Sequence, residues 1–306
     1  MSAQRTIAHV ASVSGVGLHS GERCTVTFKP APADSGITFV RVDLPNQPAI
    51  PSHPDRLCQR QRRTAMVLTT VDGLDVEIHT PEHLLAACQG LGLDNLTVEL
   101  DAVELPGLDG SAKDFVDCLS GAGIADQGVP RRFFDVTDAV SITDGKSSIV
   151  ALPYANGLKI TYTLDDHGGA LKGAQVVEIE LTGDVFTKQI APARTFCMAK
   201  EVEMLRALGL GKGATYQNTC VYDGDRLIDN ELRSTPTSSR CAPAIAKTCC
   251  WCRSSIAASK PPNARKWFST SRRSSPSCRI GIPFCWSTGS PNTPRANASS
   301  GSRIAR

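Results

Sequence analysis

Residues 234–306 contain no aspartate, no glutamate and no histidine, although the 306-residue chain carries 30 acids and six histidines. Every carboxylate or imidazole that could act as base, acid or hard-metal ligand therefore lies in the first 233 residues. The charge divides at the same place. The first 233 residues hold 21 Lys+Arg against 30 Asp+Glu, a net −9, and the remainder holds 12 Lys+Arg and no acid, a net +12. The overall +3 conceals this split. Tryptophan is missing before Trp251; all three fall in the basic stretch, with eight prolines, 16 serines and half of the 12 cysteines.

Long apolar runs are also missing. None approaches the roughly 18 residues of a membrane span, and the amino terminus has no signal-peptide core. The expectation is a cytoplasmic protein with no integral membrane segment. Cys24, Cys58, Cys88, Cys118, Cys197 and Cys220 are well separated in apolar or strand-like settings, which predicts reduced thiols rather than disulfides. Gly15-Val16-Gly17-Leu18-His19-Ser20-Gly21 lacks the spacing of a phosphate-binding loop and reads as a turn between strands. Cys249-Cys250-Trp251-Cys252 has no second spaced pair, which argues against a soft-metal site. The basic stretch and its tryptophans predict only non-specific adhesion, and no nucleic-acid partner is expected.

What is present is a period-2 pattern that switches to a helical one. Cys24–Phe28, Ile37–Val40, Val76–His79 and Leu96–Leu100 read as strands. Thr80 suits an N-cap and Pro81 a first helical position, with Leu84, Ala87, Cys88 and Leu91 at helical spacing. Ser111 with Asp114 predicts a second helix whose apolar face is Phe115, Cys118 and Leu119. Residues 1–128 thus form a first α+β domain, followed by a linker at Gln127–Arg132. Residues 132–233 begin a second one. Its strands are expected at Phe134–Val136, Val140–Thr143, Ser148–Leu152, Leu158–Leu164 and Val176–Leu181, with a helix over Pro192–Leu208 stopped by Gly209. Thr219–Tyr222 and Arg226–Ile228 read as a hairpin. The second helix of this domain should follow Arg233, and no helical apolar pattern appears there.

Two residues carry the chemistry. Glu82 and His83 sit in a first helical turn, where free amides and the dipole favour a carboxylate. That places a base beside a metal ligand. Thr80-Pro81-Glu82-His83, Leu105-Pro106-Gly107-Leu108-Asp109-Gly110-Ser111, the Gly15–Gly21 segment, Ala193-Arg194-Thr195-Phe196 and Asn230-Glu231-Leu232-Arg233 together resemble the zinc-dependent UDP-3-O-acyl-N-acetylglucosamine deacetylases of lipid A synthesis, from about Gln4 to Arg233. The resemblance implies two β-α-α-β layers packed helix to helix, the second incomplete here, in the monomeric protein of a Gram-negative bacterium. It implies Zn2+ with His83 as one of three ligands, Glu82 as general base, and Thr195 on the oxyanion. Leu18 and His19 fall near the mouth of the site. Phe196 and the segment to about Val221 resemble the insert that forms a passage for the acyl chain. Asp165-Asp166-His167 matches a pair that binds no metal in the family.

The chain departs from the family after Arg233. The pattern should continue Asp-Glu-Phe-x-Arg-His-Lys, with an Asp four residues after that His. Ser234-Thr235-Pro236-Thr237-Ser238-Ser239-Arg240 stands there instead. Pro236-Thr237-Ser238-Ser239 can be encoded so that a one-base shift spells Asp-Glu-Phe, which predicts a frameshift at or near Arg233 and a disordered or irregular tail over 234–306. With one ligand of three, catalytic zinc is not held, and the chain is expected to be inactive. A second reading is a non-catalytic binding protein that kept substrate recognition and gained a new tail.

Overall fold

The computed structural model describes residues 2–145, 147–165, 174–224, 226–231 and 233, and the backbone of 284–286. The expected Asp165-Asp166-His167 loop from residue 166, the Cys249–Cys252 cluster and the tail outside 284–286 lie beyond the described residues. The architecture is mixed α and β.

The first five-stranded sheet runs in the order Ala11–Val16, Arg23–Pro30, Leu96–Leu100, Ile37–Arg41, Ala49–Pro51. Alternation drives it: Cys24, Val26 and Phe28 point inward from one strand, and Leu96, Val98 and Leu100 from the next. The central strand is antiparallel to Arg23–Pro30 and parallel to Ile37–Arg41. Two helices cover the inner face, α1 (Glu82–Leu91) and α2 (Lys113–Gly121). Phe115 of α2 meets Phe28 edge-on, with ring centroids 6.3 Å apart. A three-stranded sheet, Leu57–Arg60, Arg63–Thr69 and Asp75–His79, leads into α1.

The second five-stranded sheet runs Val140–Asp144, Ser147–Ala151, Phe284–Trp286, Leu158–Leu164, Gln175–Leu181. Its inner face is Ile160, Tyr162, Leu164, Val177 and Ile179. Phe284–Trp286 is antiparallel to Ser147–Ala151 and parallel to Leu158–Leu164, so both sheets share one strand order and one set of strand senses. One continuous core joins the halves, from Ile7 and Phe39 to Tyr162, Phe186 and Tyr222.

Several local expectations are corrected. Helix α1 has Pro81 at its N-cap, and Thr80 lies outside with φ 57°. The N-cap of α2 is Ala112, although the Ser111 hydroxyl does accept from the Lys113 amide at 3.1 Å. Gln127–Pro130 is not a linker but part of strand Ile124–Pro130, which pairs with Ala3–Ile7. Phe134–Val136 is not a strand. Within Pro192–Leu208 only Ala199–Ala207 is α-helical. The segment before it, Phe196–Met198, pairs parallel with Cys220–Asp223 instead. In the tail expected to be disordered or irregular, Phe284–Trp286 form a strand, and the rest of it lies outside the described residues. The six cysteines of the first 233 residues are free thiols, four of them buried.

Candidate functional site

The site is built where three loops of the first half meet the backbone of the second. Helix α1 is buried almost throughout its first two turns, His83 to Cys88. It ends at Gly92, whose φ of 69° fits the left-handed C-cap that glycine takes without strain. The turn at Asp109–Ser111 approaches the second half closely. A Cβ on Gly110 would lie 1.6 Å from the Asn218 carbonyl oxygen, so no larger residue fits.

Burial shifts Glu82 and His83 in opposite directions, each toward its uncharged form. The Glu82 carboxyl points inward; its Oε2 is buried and has no hydrogen-bond partner among the described residues, and its Oε1 makes a long 3.5 Å contact with the Thr64 amide. Burial pushes its pKa up to about 7, opposed by the Thr64 contacts. Burial also brings the His83 imidazole down to about 4, opposed by the charge of Asp109 and a contact with the Ser111 backbone. A carboxyl poised near neutrality suits a general base, and a neutral imidazole suits a metal ligand.

Thr195 reaches this place through the backbone. Its amide donates to the Gly110 carbonyl at 2.7 Å, and its own carbonyl accepts from Cys220 at 2.9 Å. These two bonds take the groups a helix over Pro192–Leu208 would have used. Leu18 and His19 lie on the other side, on the loop after Ala11–Val16. Leu18 packs on Gly107, and the loop carbonyls of Leu18 and His19 accept from Gly213 and Lys212 at 3.2 and 3.3 Å. Desolvation lowers the His19 pKa against the nearby charge of Glu104. Phe196 sits on its short strand with its ring edge-on to Tyr222, centroids 6.1 Å apart.

Three participants are not evident from residue type alone. Asp109 accepts the Ser111 amide at 2.9 Å and hydroxyl at 2.7 Å and pairs with Arg233, contacts that hold its pKa low against burial. Arg194 donates to Asn230 Oδ1 at 2.9 Å and to the Glu231 carbonyl, tying the last family-like residues to the site. Glu104, only 1% exposed, takes donors from two loops at once.

Residues 4–237 match the family described as LpxC, UDP-3-O-acyl N-acetylglycosamine deacetylase. The chain belongs to this family. A UDP-3-O-acyl-N-acetylglucosamine deacetylase of Bdellovibrio bacteriovorus is 36% identical over 228 residues, 74% of this chain and 73% of the relative. One from Actinobacillus pleuropneumoniae is 39% identical over 229 residues, 74% of both chains. The family match stops within four residues of the compositional break at Arg233.

Among the described residues the zinc ion implied by the resemblance finds no matching donor set. Among the described residues no three His, Cys, Asp or Glu side chains converge. Residues 234–306 cannot supply an imidazole or a carboxylate. Asp109, near His83, is committed to Arg233 and Ser111. Among the described residues, no helix is long and apolar enough to cross a membrane.

Proposed function

We propose that this chain keeps the base and the substrate-recognition half of a UDP-3-O-acyl-N-acetylglucosamine deacetylase without a complete metal site. It binds the acylated sugar nucleotide and does not turn it over. The observation that carries this reading is Glu82, poised near 7, beside a neutral buried His83, where no three His, Cys, Asp or Glu side chains converge among the described residues. In an intact site Glu82 would be the group that takes a proton from water attacking the acetamide. In an intact site the Thr195 hydroxyl would face the developing oxyanion. Leu18, His19 and Phe196 line the way in, and residues 195–221 form the acyl passage. In the intact family site the metal supplies Lewis acidity at the amide carbonyl.

The shared topology of the two sheets supports two β-α-α-β layers packed helix to helix, the second incomplete; by family resemblance we infer a cytoplasmic monomer of a Gram-negative bacterium. The end of the family match at residue 237 supports a frameshift near Arg233.

The test compares this chain with one translated in the neighbouring frame after Arg233. The parent should bind a non-hydrolysable substrate analogue by calorimetry, hold little zinc after dialysis and release no acetate. The restored chain should hold about one zinc per protein and release acetate. A parent that turns over as fast as the restored chain, or that does not bind the analogue, sinks the proposal.

A further inference from the structure

We infer that Glu104 is a positioning residue, whose carboxylate locks the His19 loop and the Thr80 turn into one unit ahead of Glu82 and His83. This rests on the reading of the site above. Oε1 accepts from the His19 amide at 3.0 Å and the Thr80 hydroxyl at 2.8 Å, and Oε2 accepts from the Ser20 amide at 2.6 Å. The two loops are remote in sequence, and no other side chain described here bonds to both. These donors keep the carboxyl ionised despite burial. No lysine or arginine pairs with it among the described residues, and the bonds it accepts come from two amides and a hydroxyl.

The surroundings are shaped to this carboxylate. A Cβ on Gly17 would lie 2.6 Å from Glu104 Oε2 and 2.4 Å from the Ser20 hydroxyl, so only glycine lets the loop close over it. Thr80 holds φ 57°, a left-handed conformation that β-branched residues avoid. Its amide is fixed by the Thr64 carbonyl at 2.9 Å, and its hydroxyl is fixed by Glu104. Strain at that residue is thus tied down from both ends, one step before Pro81 opens helix α1. Beside it, the His79 carbonyl accepts the Leu105 amide at 3.1 Å, and the His79 amide donates to Val103 at 2.8 Å. The locked loop in turn accepts from Lys212 and Gly213, so the same carboxylate reaches the second half through one intermediary.

The test uses the full chain and needs neither zinc nor turnover. Glu104→Gln keeps the shape and removes the charge. Amide exchange at His19 and Ser20 should rise roughly tenfold or more, as for loss of a charged hydrogen bond, and the His19 ring should titrate at lower pH by NMR. Amides in Leu96–Leu100 should keep their protection. Gly17→Ala reaches the same carboxylate from the loop side and should release the same amides, which keeps the inference testable if Glu104→Gln misfolds. Unchanged exchange at His19 and Ser20 in either folded variant overturns it. So does a rise spread equally over the core, which marks a residue of general stability only. Failure of analogue binding by the parent chain would instead count against the proposed function and leave this readout standing.

Discussion

In the first sheet the central strand Leu96–Leu100 pairs over five positions on each side, and its three inward side chains are fully buried. In the second sheet the same place is taken by Phe284–Trp286, which pairs over two positions on one side and three on the other. The first strand is delivered by helix α1, a few residues upstream. The second comes from a stretch whose composition shares nothing with the rest of the chain. The difference teaches what a sheet of this topology requires. Its centre must be a strand bonded on both sides, and backbone pairing is nearly independent of which side chains arrive. The chemistry at the site is not independent in this way, because a ligand set needs particular atoms.

The comparison can be broken or sharpened by experiment. Leu100→Ala removes a fully buried side chain from the first centre and should cost about 2–5 kcal/mol in urea unfolding. A cost below ~1 kcal/mol would show that this strand anchors no more than its counterpart.

The pH dependence of the first half should carry two opposed contributions on the order of 3 kcal/mol each. Glu82 is raised in the folded state, so its contribution is full below about pH 4.5 and is lost as pH rises through about 7. His83 is lowered, so its contribution is full above about pH 6.5 and is lost as pH falls through about 4. The slopes oppose each other between about pH 4.5 and 6.5. In metal-free protein, Glu82→Gln should therefore leave stability rising with pH across that window, and His83→Gln should leave it falling. Identical slopes in the two variants, followed by thermal melting, would contradict the assignment.

Gly110→Ala forces a Cβ into the Asn218 carbonyl and strains a φ of 80°, at a cost of at least roughly 1–3 kcal/mol. Paired proteolysis of the two halves should show them separating. Cys285→Pro removes one backbone donor from the second centre. It should cost only about 1 kcal/mol, read as faster amide exchange confined to Ile149 and Tyr162–Leu164. No protection of these amides in the parent would mean that the second centre is empty in solution.

Much of the first half is legible from periodicity. Arg23–Pro30 and Leu96–Leu100 declare themselves by alternation, and Leu84, Ala87 and Cys88 by helical spacing. Glu82 and His83 stand out because their residue types and their place at a helix start point the same way. Other features are hidden for physical reasons. Thr80 looks like an N-cap because its hydroxyl suits one, but Glu104, 24 residues on, offers a charged acceptor and wins. Phe196–Met198 looks helical until Cys220–Asp223 supplies a parallel partner. Each miss is a contact between residues distant in the chain, which local pattern does not encode.

The shared sheet topology also sets a timetable. The first sheet can close once residue 100 has left the ribosome, because its last-arriving strand is its centre and lies close behind its neighbours. The second has both flanking hairpins made by residue 181 and then waits for residue 284. Throughout that interval Ser147–Ala151 and Leu158–Leu164 lack the strand that bonds to both of them in the finished sheet. Unpaired strand edges are sticky to any extended chain. Chaperone demand during synthesis is therefore concentrated in the second half, and it falls on a window fixed by strand order rather than by the stability of the finished protein.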